Sequence, residues 1–197
     1  MRLNSPGSPL GVRRGEQILA ALFLVLLVGI PVASQESEVH KDVPYVPTPP
    51  EVVEAMLKLG NVRGGDIHYD LGCGDGRIVI AAVRRLGVRG VCVELDPARL
   101  KWAREVAEKA GVAGLIRFVE GDLFEVPLQD ATVVTLYLLR PTNLRLKPKL
   151  LRELRPGSRV VSLRFDMGNW EAERTEQVGN PPKTIYRWTI PQPGAVR

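Results

Sequence analysis

Three glycines at alternate positions stand between an apolar stretch and a helical pattern. Gly72, Gly74 and Gly76 directly follow residues 67–71, which are mostly apolar. Glycine lets a backbone pass close beneath a ligand and turn sharply into a helix, and the helix N-terminus then offers free N–H groups. Asp70 places a carboxylate two residues before the first glycine. The pattern predicts a ligand-binding turn after a strand, with a negative charge beside it.

The spacing of the glycines distinguishes this turn from a dinucleotide site. Dinucleotide-binding turns have the pattern G-x-G-x-x-G, whereas the three glycines here have the pattern G-x-G-x-G. The carboxylate of Asp70 would also repel a pyrophosphate, but it suits a ligand that carries an ammonium and a sulfonium group. S-adenosylmethionine (SAM) is such a ligand. A nicotinamide-dependent oxidoreductase is therefore disfavoured on two grounds.

Two further acidic residues follow the next two predicted strands. Glu94 ends the second strand, where a carboxylate can accept hydrogen bonds from ribose hydroxyls. Asp122, with the apolar Leu123 after it, follows the third strand, where an acid could accept from an adenine amino group. Asp96 is instead expected to cap the next helix. Because the carboxyl ends of parallel strands share one edge of a sheet, Asp70, Glu94 and Asp122 should line one site.

Strand and helix patterns alternate along most of the chain and predict its fold class. The predicted strands are residues 67–71, 90–94, 116–119, 132–139, 159–165, 176–178 and 184–190. Alternation with helices favours right-handed crossovers and a largely parallel sheet, and a tail without a long helix suits an antiparallel hairpin. The prediction is an α/β, Rossmann-like, doubly wound fold with a mainly parallel seven-stranded sheet and an antiparallel terminal hairpin. Thr48, Pro49 and Glu51 predict a capping box at the first helix.

The segment from Asp70 to Gly76 resembles motif I of class I SAM-dependent methyltransferases. Glu94 matches their ribose acid and Asp122 their adenine acid, and the resemblance covers about residues 44–190. It implies a seven-strand methyltransferase with SAM as its cofactor. The residues that would hold SAM are Asp70, Gly72, Cys73, Gly74, Gly76, Glu94, Asp122 and Leu123. A non-catalytic SAM-binding or scaffold protein is the alternative, although an intact motif I argues against it.

The segments that flank this core narrow the resemblance. Residues 44–49 and 165–170 resemble a bacterial group of small methyltransferases that is similar to protein-lysine methyltransferases. By that resemblance, Tyr45 and Thr48 would close over the methionine end of SAM. The alternatives are a packing role for Tyr45 and the cap role for Thr48.

The methyl acceptor is less closely defined than the cofactor. Tyr137 lies near the end of the fourth predicted strand, in the segment that usually faces the substrate in this fold, and Asp166 follows the fifth predicted strand. Both are candidate catalytic residues, with a core tyrosine and a surface acid as the alternatives. The segment around Tyr137 lacks the Asn-Pro-Pro-Tyr pattern of enzymes that methylate amides or adenine. The expected acceptor is a protein, through a lysine, or a small molecule.

Composition sets limits on other functions. Of the net charge of +5, residues 1–34 carry +2, and the remaining +3 comes from interspersed acids and bases, which disfavours a nucleic-acid partner. Cys73 and Cys92 are expected to be free thiols, because a chain of this length would need more cysteines for a disulfide scaffold. Neither these cysteines nor His40 and His68 have the spacing of a metal site, so no metal is predicted.

The N-terminus has the pattern of a leader segment. Residues 18–30 form a short apolar run after basic residues, and small residues follow it. A helix of this length spans about 20 Å, short of a hydrocarbon core. Residues 1–34 are therefore predicted to be a signal peptide or an N-terminal membrane anchor, residues 35–46 a linker and residues 47–197 the methyltransferase domain. The expected location is exported or membrane-anchored, with membrane contact through this segment and a cytoplasm-facing anchor still open.

Overall fold

The computed structural model describes residues 46–192, which contain seven strands and four α-helices. The strands are Ile67–Leu71 (β1), Arg89–Glu94 (β2), Ile116–Glu120 (β3), Val133–Leu136 (β4), Arg159–Leu163 (β5), Arg174–Val178 (β6) and Lys183–Thr189 (β7). The helices are Pro50–Leu59 (α1), Arg77–Leu86 (α2), Pro97–Lys109 (α3) and Arg140–Glu153 (α4). A short 3-10 turn, Ala113–Leu115, precedes β3.

The seven strands form one sheet in the order β3-β2-β1-β4-β5-β7-β6. Strands β1 to β5 pair in parallel, whereas β7 runs antiparallel to both β5 and β6. The predicted fold class is therefore confirmed, including the antiparallel terminal hairpin. The strand order reverses between β1 and β4, and open α/β sheets bind ligands in the crevice beyond the carboxyl ends at such a point.

Helices cover both faces of the sheet. On one face, helices α1 to α3 pack against sheet residues such as Cys92 and Val133. On the other face, Leu146 and Leu150 of α4 pack against Leu136 and other sheet residues. Both faces are thus removed from water, which explains why most side chains of the central strands are apolar on both faces of the sheet.

The ends of two helices test the capping predictions. Asp96 caps α3 as predicted, because its Oδ1 accepts from the backbone N–H of Ala98 at 3.0 Å. The capping box at Thr48 is wrong: α1 begins at Pro50, its N-cap is Pro49, and the cap makes no side-chain hydrogen bond. Pro49 has no side-chain acceptor, and its backbone carbonyl instead accepts from the N–H groups of Val52 and Val53, both at 3.0 Å.

The two cysteines are joined, so the prediction of free thiols is wrong. Cys73 and Cys92 form a disulfide with their Cα atoms 5.4 Å apart. The glycine turn folds back over β2, where the backbone N–H groups of Gly72 and Cys73 both donate to the carbonyl of Val93. This return of the chain brings Cys73 over Cys92, and nothing in the sequence spacing of the two residues predicts it.

None of the helices within residues 46–192 is both long enough and apolar enough to cross a membrane. The leader, residues 1–34, and the linker up to Tyr45 lie outside the described residues. The predicted domain boundaries therefore stay predictions.

Candidate active site

The glycine turn between β1 and α2 has the backbone conformation that its composition predicts. Gly72, Gly74 and Gly76 have φ angles of 76°, 57° and 76°, in the left-handed region that side chains disfavour. A Cβ atom at Gly72 would lie 2.8 Å from Cδ2 of Leu138. The turn therefore passes close to the segment after β4, and a side chain at Gly72 would obstruct it.

A cavity of about 330 Å³ lies beyond the carboxyl ends of β1 to β4, beside this turn. It has the size of a small-molecule site. The predicted site residues that line it are Thr48, Asp70, Gly72, Cys73, Gly74, Glu94, Asp122, Leu123 and Tyr137. Gly76 and Asp166 are not among its lining residues, and Tyr45 lies outside the described residues. The structure thus brings residues from four strand ends to one cavity.

Asp70 is a buried carboxylate in the wall of this cavity. It is 2% exposed, and its Oδ1 accepts from the hydroxyl of Thr135 at 2.8 Å. Its Oδ2 has no hydrogen-bond partner of ordinary geometry within residues 46–192. Burial raises the pKa of Asp70 to about 7, and the carboxylates of Asp75 and Glu94 contribute to the rise. A cation bound in the cavity would favour the ionised form, so the site fits a ligand with an ammonium group.

Glu94 holds the glycine turn and the start of the next loop in place. Its Oε2 accepts from the backbone N–H of Gly74 at 2.9 Å, and its Oε1 accepts from the N–H groups of Leu95 and Asp96 at 3.0 Å. The side chain is 7% exposed and lines the cavity. Glu94 therefore shapes the backbone of the site, a task that its position at a strand end did not reveal.

The third acid lies in a turn after β3. Oδ1 of Asp122 accepts from the backbone N–H of Phe124 at 2.8 Å, and Asp122 itself is exposed. Leu123 and Phe124 are half-buried and line the cavity. The guanidinium of Arg145 lies 4.4 Å from the ring centroid of Phe124. This part of the wall is apolar with one carboxylate at its rim, which suits a flat heterocycle with an amino group.

Sequence reasoning missed Arg77, which connects two walls of the cavity. Its guanidinium donates to Asp75, at 2.6 Å for the Nη2–Oδ2 pair, and its Nη1 donates to the carbonyl of Thr48 at 2.7 Å. Arg77 therefore joins the glycine turn to the segment before α1. A positive charge at the first position of a helix is electrostatically unfavourable, and this was the signal that could have marked it.

The two candidate catalytic residues have different surroundings. Tyr137 directly follows β4, is half-buried and lines the cavity. Asp166 lies after β5, where its Oδ1 accepts from the backbone N–H of Gly168 at 2.8 Å and from Nε of Arg140 at 3.1 Å. The Gly168 hydrogen bond and the charge of Arg140 hold the pKa of Asp166 below its usual value. Tyr137 therefore reaches the cavity, whereas Asp166 is engaged beside the start of α4.

The sheet order, the glycine turn and the acids around one cavity define a class I SAM-dependent methyltransferase, and SAM is its cofactor. The chain belongs to the family of the ANTKMT methyltransferase domain, whose model matches residues 70–174. A protein-lysine N-methyltransferase of Saccharolobus islandicus is 47% identical over 151 residues, 75% of this chain and 94% of the relative. The adenine nucleotide translocase lysine N-methyltransferase of Mus musculus is 39% identical over 66% of this chain, which spans only 56% of that protein.

A solved methyltransferase structure is also similar to this chain. It is described as an RNA methyltransferase from Salinibacter ruber in complex with S-adenosyl-L-homocysteine. Its sequence is 54% identical, its TM-score is 0.72, and the match covers 75% of this chain and 95% of that chain. The predicted enzyme class and cofactor are confirmed, and the non-catalytic alternative loses its support.

The comparisons also correct the predicted location. The match to the Saccharolobus relative accounts for nearly all of that protein and gives no support to a signal peptide or a membrane anchor. This comparison contradicts the prediction of an exported or membrane-anchored protein.

Proposed function

We propose that this methyltransferase transfers the methyl group of SAM to the ε-amino group of a lysine in a protein. The observation that carries the proposal is Tyr137, which places a hydroxyl-bearing side chain in the cavity wall directly after β4. The proposal is supported by two relatives whose names specify lysine as the acceptor. The Salinibacter structure is named for RNA, so RNA is the second candidate acceptor.

The cavity residues divide the work of holding the cofactor. Asp70 would meet the ammonium group, Glu94 the ribose hydroxyls and Asp122 the adenine amino group, with Leu123 against the ring. The backbone of Gly72, Cys73 and Gly74 would border the methionine part, the turn at Gly76 would lead into α2, and Thr48 with Tyr45 would cover the opposite side. When bound, SAM supplies an electrophilic methyl group beside a positive sulfonium.

Tyr137 is the residue proposed to position the acceptor. A lysine must lose its proton before its nitrogen can attack, and a phenol oxygen can accept a hydrogen bond from the resulting amine and orient its lone pair. Leu138 is buried and Thr142 lies in the first turn of α4, and both line the cavity. Those of them that face the amine would limit the water around it. Asp166 stays a candidate for the rim, where its bond to Arg140 shapes the loop after β5.

Charge favours a particular sequence around the acceptor lysine. The lining acids lie near the ends of β1 to β3, whereas α4 and the loop after β5 carry Arg140, Arg145, Lys147 and Arg164. Asp166 lies among these cations and is paired with Arg140. A positive surface on the acceptor side suits acidic residues next to the target lysine. The same surface would suit RNA phosphates, so the experiment must include both.

Methylation assays with labelled SAM are expected to show label in protein and methyllysine after acid hydrolysis. Total protein and total RNA from the source cells serve as the two acceptors, with protease and nuclease digestion to assign the label. A Tyr137→Phe variant is expected to lose at least about 10-fold in kcat and to keep its affinity for SAM, because the lost hydroxyl acts on the acceptor.

The matched control is Tyr186→Phe, which removes a hydroxyl from a half-buried tyrosine that stacks on Trp188 in β7. This variant should retain wild-type kcat. Nuclease-sensitive label, or a Tyr137→Phe variant as active as Tyr186→Phe, would contradict the lysine proposal.

A further inference from the structure

Three buried polar side chains lie in line beneath the cavity. His68 and Asp70 lie two residues apart on β1 and so share one face of the sheet, and Asp70 pairs in register with Thr135 of β4. Nε2 of His68 lies 2.9 Å from Oγ1 of Thr135, and Oγ1 of Thr135 lies 2.8 Å from Oδ1 of Asp70. His68 and Thr135 are fully buried. The three side chains form a chain of hydrogen bonds that ends at the cavity wall.

The chemistry of the three groups gives the chain one direction. An ionised carboxylate only accepts, so the single hydroxyl proton of Thr135 goes to Asp70. The oxygen of Thr135 then accepts from His68, which must carry its proton on Nε2. Nδ1 of His68 is left as a bare acceptor, and it has no hydrogen-bond partner within residues 46–192. Burial lowers the pKa of His68 to about 4, so the ring stays neutral and keeps this arrangement.

Burying the hydrogen-bonded side chains of His68, Thr135 and Asp70 lowers the stability of the fold, and a purely structural role would not explain that loss. The surrounding side chains on the same face, including Cys92 and Val133, are apolar. Polar groups buried in such surroundings cost free energy, and the bare nitrogen of His68 adds to the cost. Apolar residues at His68 and Thr135 would pack the same space without that cost. These hydrogen bonds end at the carboxylate of Asp70 in the cavity wall, and their position therefore points to a role in binding.

We propose that Thr135 and His68 are positioning residues that keep Asp70 ionised and oriented toward the ammonium group of SAM. The proposal rests on the role of Asp70 in cofactor binding given above. Thr135 donates directly to the carboxylate, and His68 holds the hydroxyl of Thr135 so that its proton points at Asp70. Neither residue touches the cofactor.

The proposal gives SAM binding a defined pH dependence. Burial, Asp75 and Glu94 raise the pKa of Asp70, and the hydrogen bond from Thr135 opposes the rise. Asp75 is itself paired with Arg77. Since the ammonium group binds the ionised carboxylate, affinity should fall as the pH drops through about 7. Loss of the Thr135 hydroxyl raises the pKa further, so the fall in affinity should begin at a higher pH.

The experiment compares two ligands on matched variants by calorimetric titration between about pH 6 and about pH 9, a range that spans the raised pKa of Asp70. SAM carries the ammonium group, and 5′-methylthioadenosine lacks the whole amino-acid part. Thr135→Val is expected to weaken SAM about 10-fold at neutral pH and to leave methylthioadenosine unchanged. Thr135→Ser, which restores the hydroxyl, should recover wild-type affinity. Thr132→Val is the control, because it removes a similar hydroxyl-to-carboxylate bond, from Thr132 to Asp66 at 2.7 Å, at the other end of β4.

His68→Leu tests the outer link, because it removes the donor to Thr135 and leaves the contact between Thr135 and Asp70 in place. It should weaken SAM selectively by about 3-fold, and it tests the proposal even if Thr135→Val does not fold. Equal losses for both ligands, or a Thr135→Val variant that binds SAM like Thr132→Val, would overturn the proposal. A wild-type protein that binds neither ligand would instead refute the cofactor site itself.

Discussion

An Asp70→Asn variant is expected to bind SAM at least about 100-fold more weakly than the wild type, because it loses a charge-assisted contact with the ammonium group. Asparagine keeps the shape of the side chain and can still accept from Thr135, so the loss reports the missing charge. A charge-assisted hydrogen bond in a buried site is among the stronger polar interactions in proteins. Calorimetric titration would measure the loss, with the exposed Asp130→Asn as the control of equal charge change.

The same variant is expected to make the ligand-free protein more stable. The pKa of Asp70 is raised to about 7 in the folded protein, above its value in the unfolded chain. The folded state therefore holds the proton more tightly, and the stability of the wild type falls as the pH rises from about 4 to about 7. An asparagine side chain does not ionise, so the variant does not lose stability in this way. Its stability gain over the wild type should therefore grow across that range and then level off. Urea unfolding at about pH 5 and about pH 8 would measure it, and equal gains at both pH values would contradict the assignment.

A Glu94→Gln variant is expected to lose SAM affinity by a similar factor for a different reason. One carboxylate oxygen would become an NH2 group, which cannot accept from the N–H of Gly74 or from a ribose hydroxyl. The displaced turn should also cost about 2 kcal/mol in the free energy of unfolding, because a buried N–H loses its acceptor. Opposite stability changes would therefore separate the roles of Asp70 and Glu94.

The measurement combines calorimetric titration with urea unfolding of the ligand-free protein. Glu108→Gln, on the exposed side of α3, removes the same charge without a cavity contact and should match the wild type in both. If Glu94→Gln bound SAM as tightly as the wild type, this would contradict both the proposed contact of Glu94 with the ribose hydroxyls and its role in holding the glycine turn in place.

Local patterns predicted those elements whose ends are fixed by nearby residues. The bounds of β1 were predicted correctly, because glycine-rich turns stand on both sides of it. Strand β4 was predicted to continue to residue 139, but it ends at Leu136, and α4 begins at Arg140. The apolar residues after Leu136 leave the sheet and line the cavity, and hydrophobicity alone cannot distinguish a buried strand from a buried loop at a binding site.

The residues of the candidate site could likewise be predicted only in part from the sequence. The positions of Asp70, Glu94 and Asp122 at strand ends predicted that they would meet, since parallel strands end at one edge of the sheet. The partners of these acids depend on how neighbouring strands align. His68 and Thr135 carried a signal, as polar residues in apolar strands, but their contact follows from the register of β1 on β4. The disulfide likewise follows from the fold of the turn and not from spacing.

The links around the cavity differ in kind, and this has a consequence for the kinetics of cofactor exchange. The glycine turn is bound covalently to β2 through Cys73 and Cys92, whereas the segment before α1 is held to it by the hydrogen bond from Arg77 to Thr48. A wall joined by hydrogen bonds opens far more often than one joined by a disulfide, so ligands should enter and leave past Thr48. Stopped-flow release of SAM is accordingly expected to be faster in an Arg77→Met variant, and an unchanged rate would place the exit elsewhere.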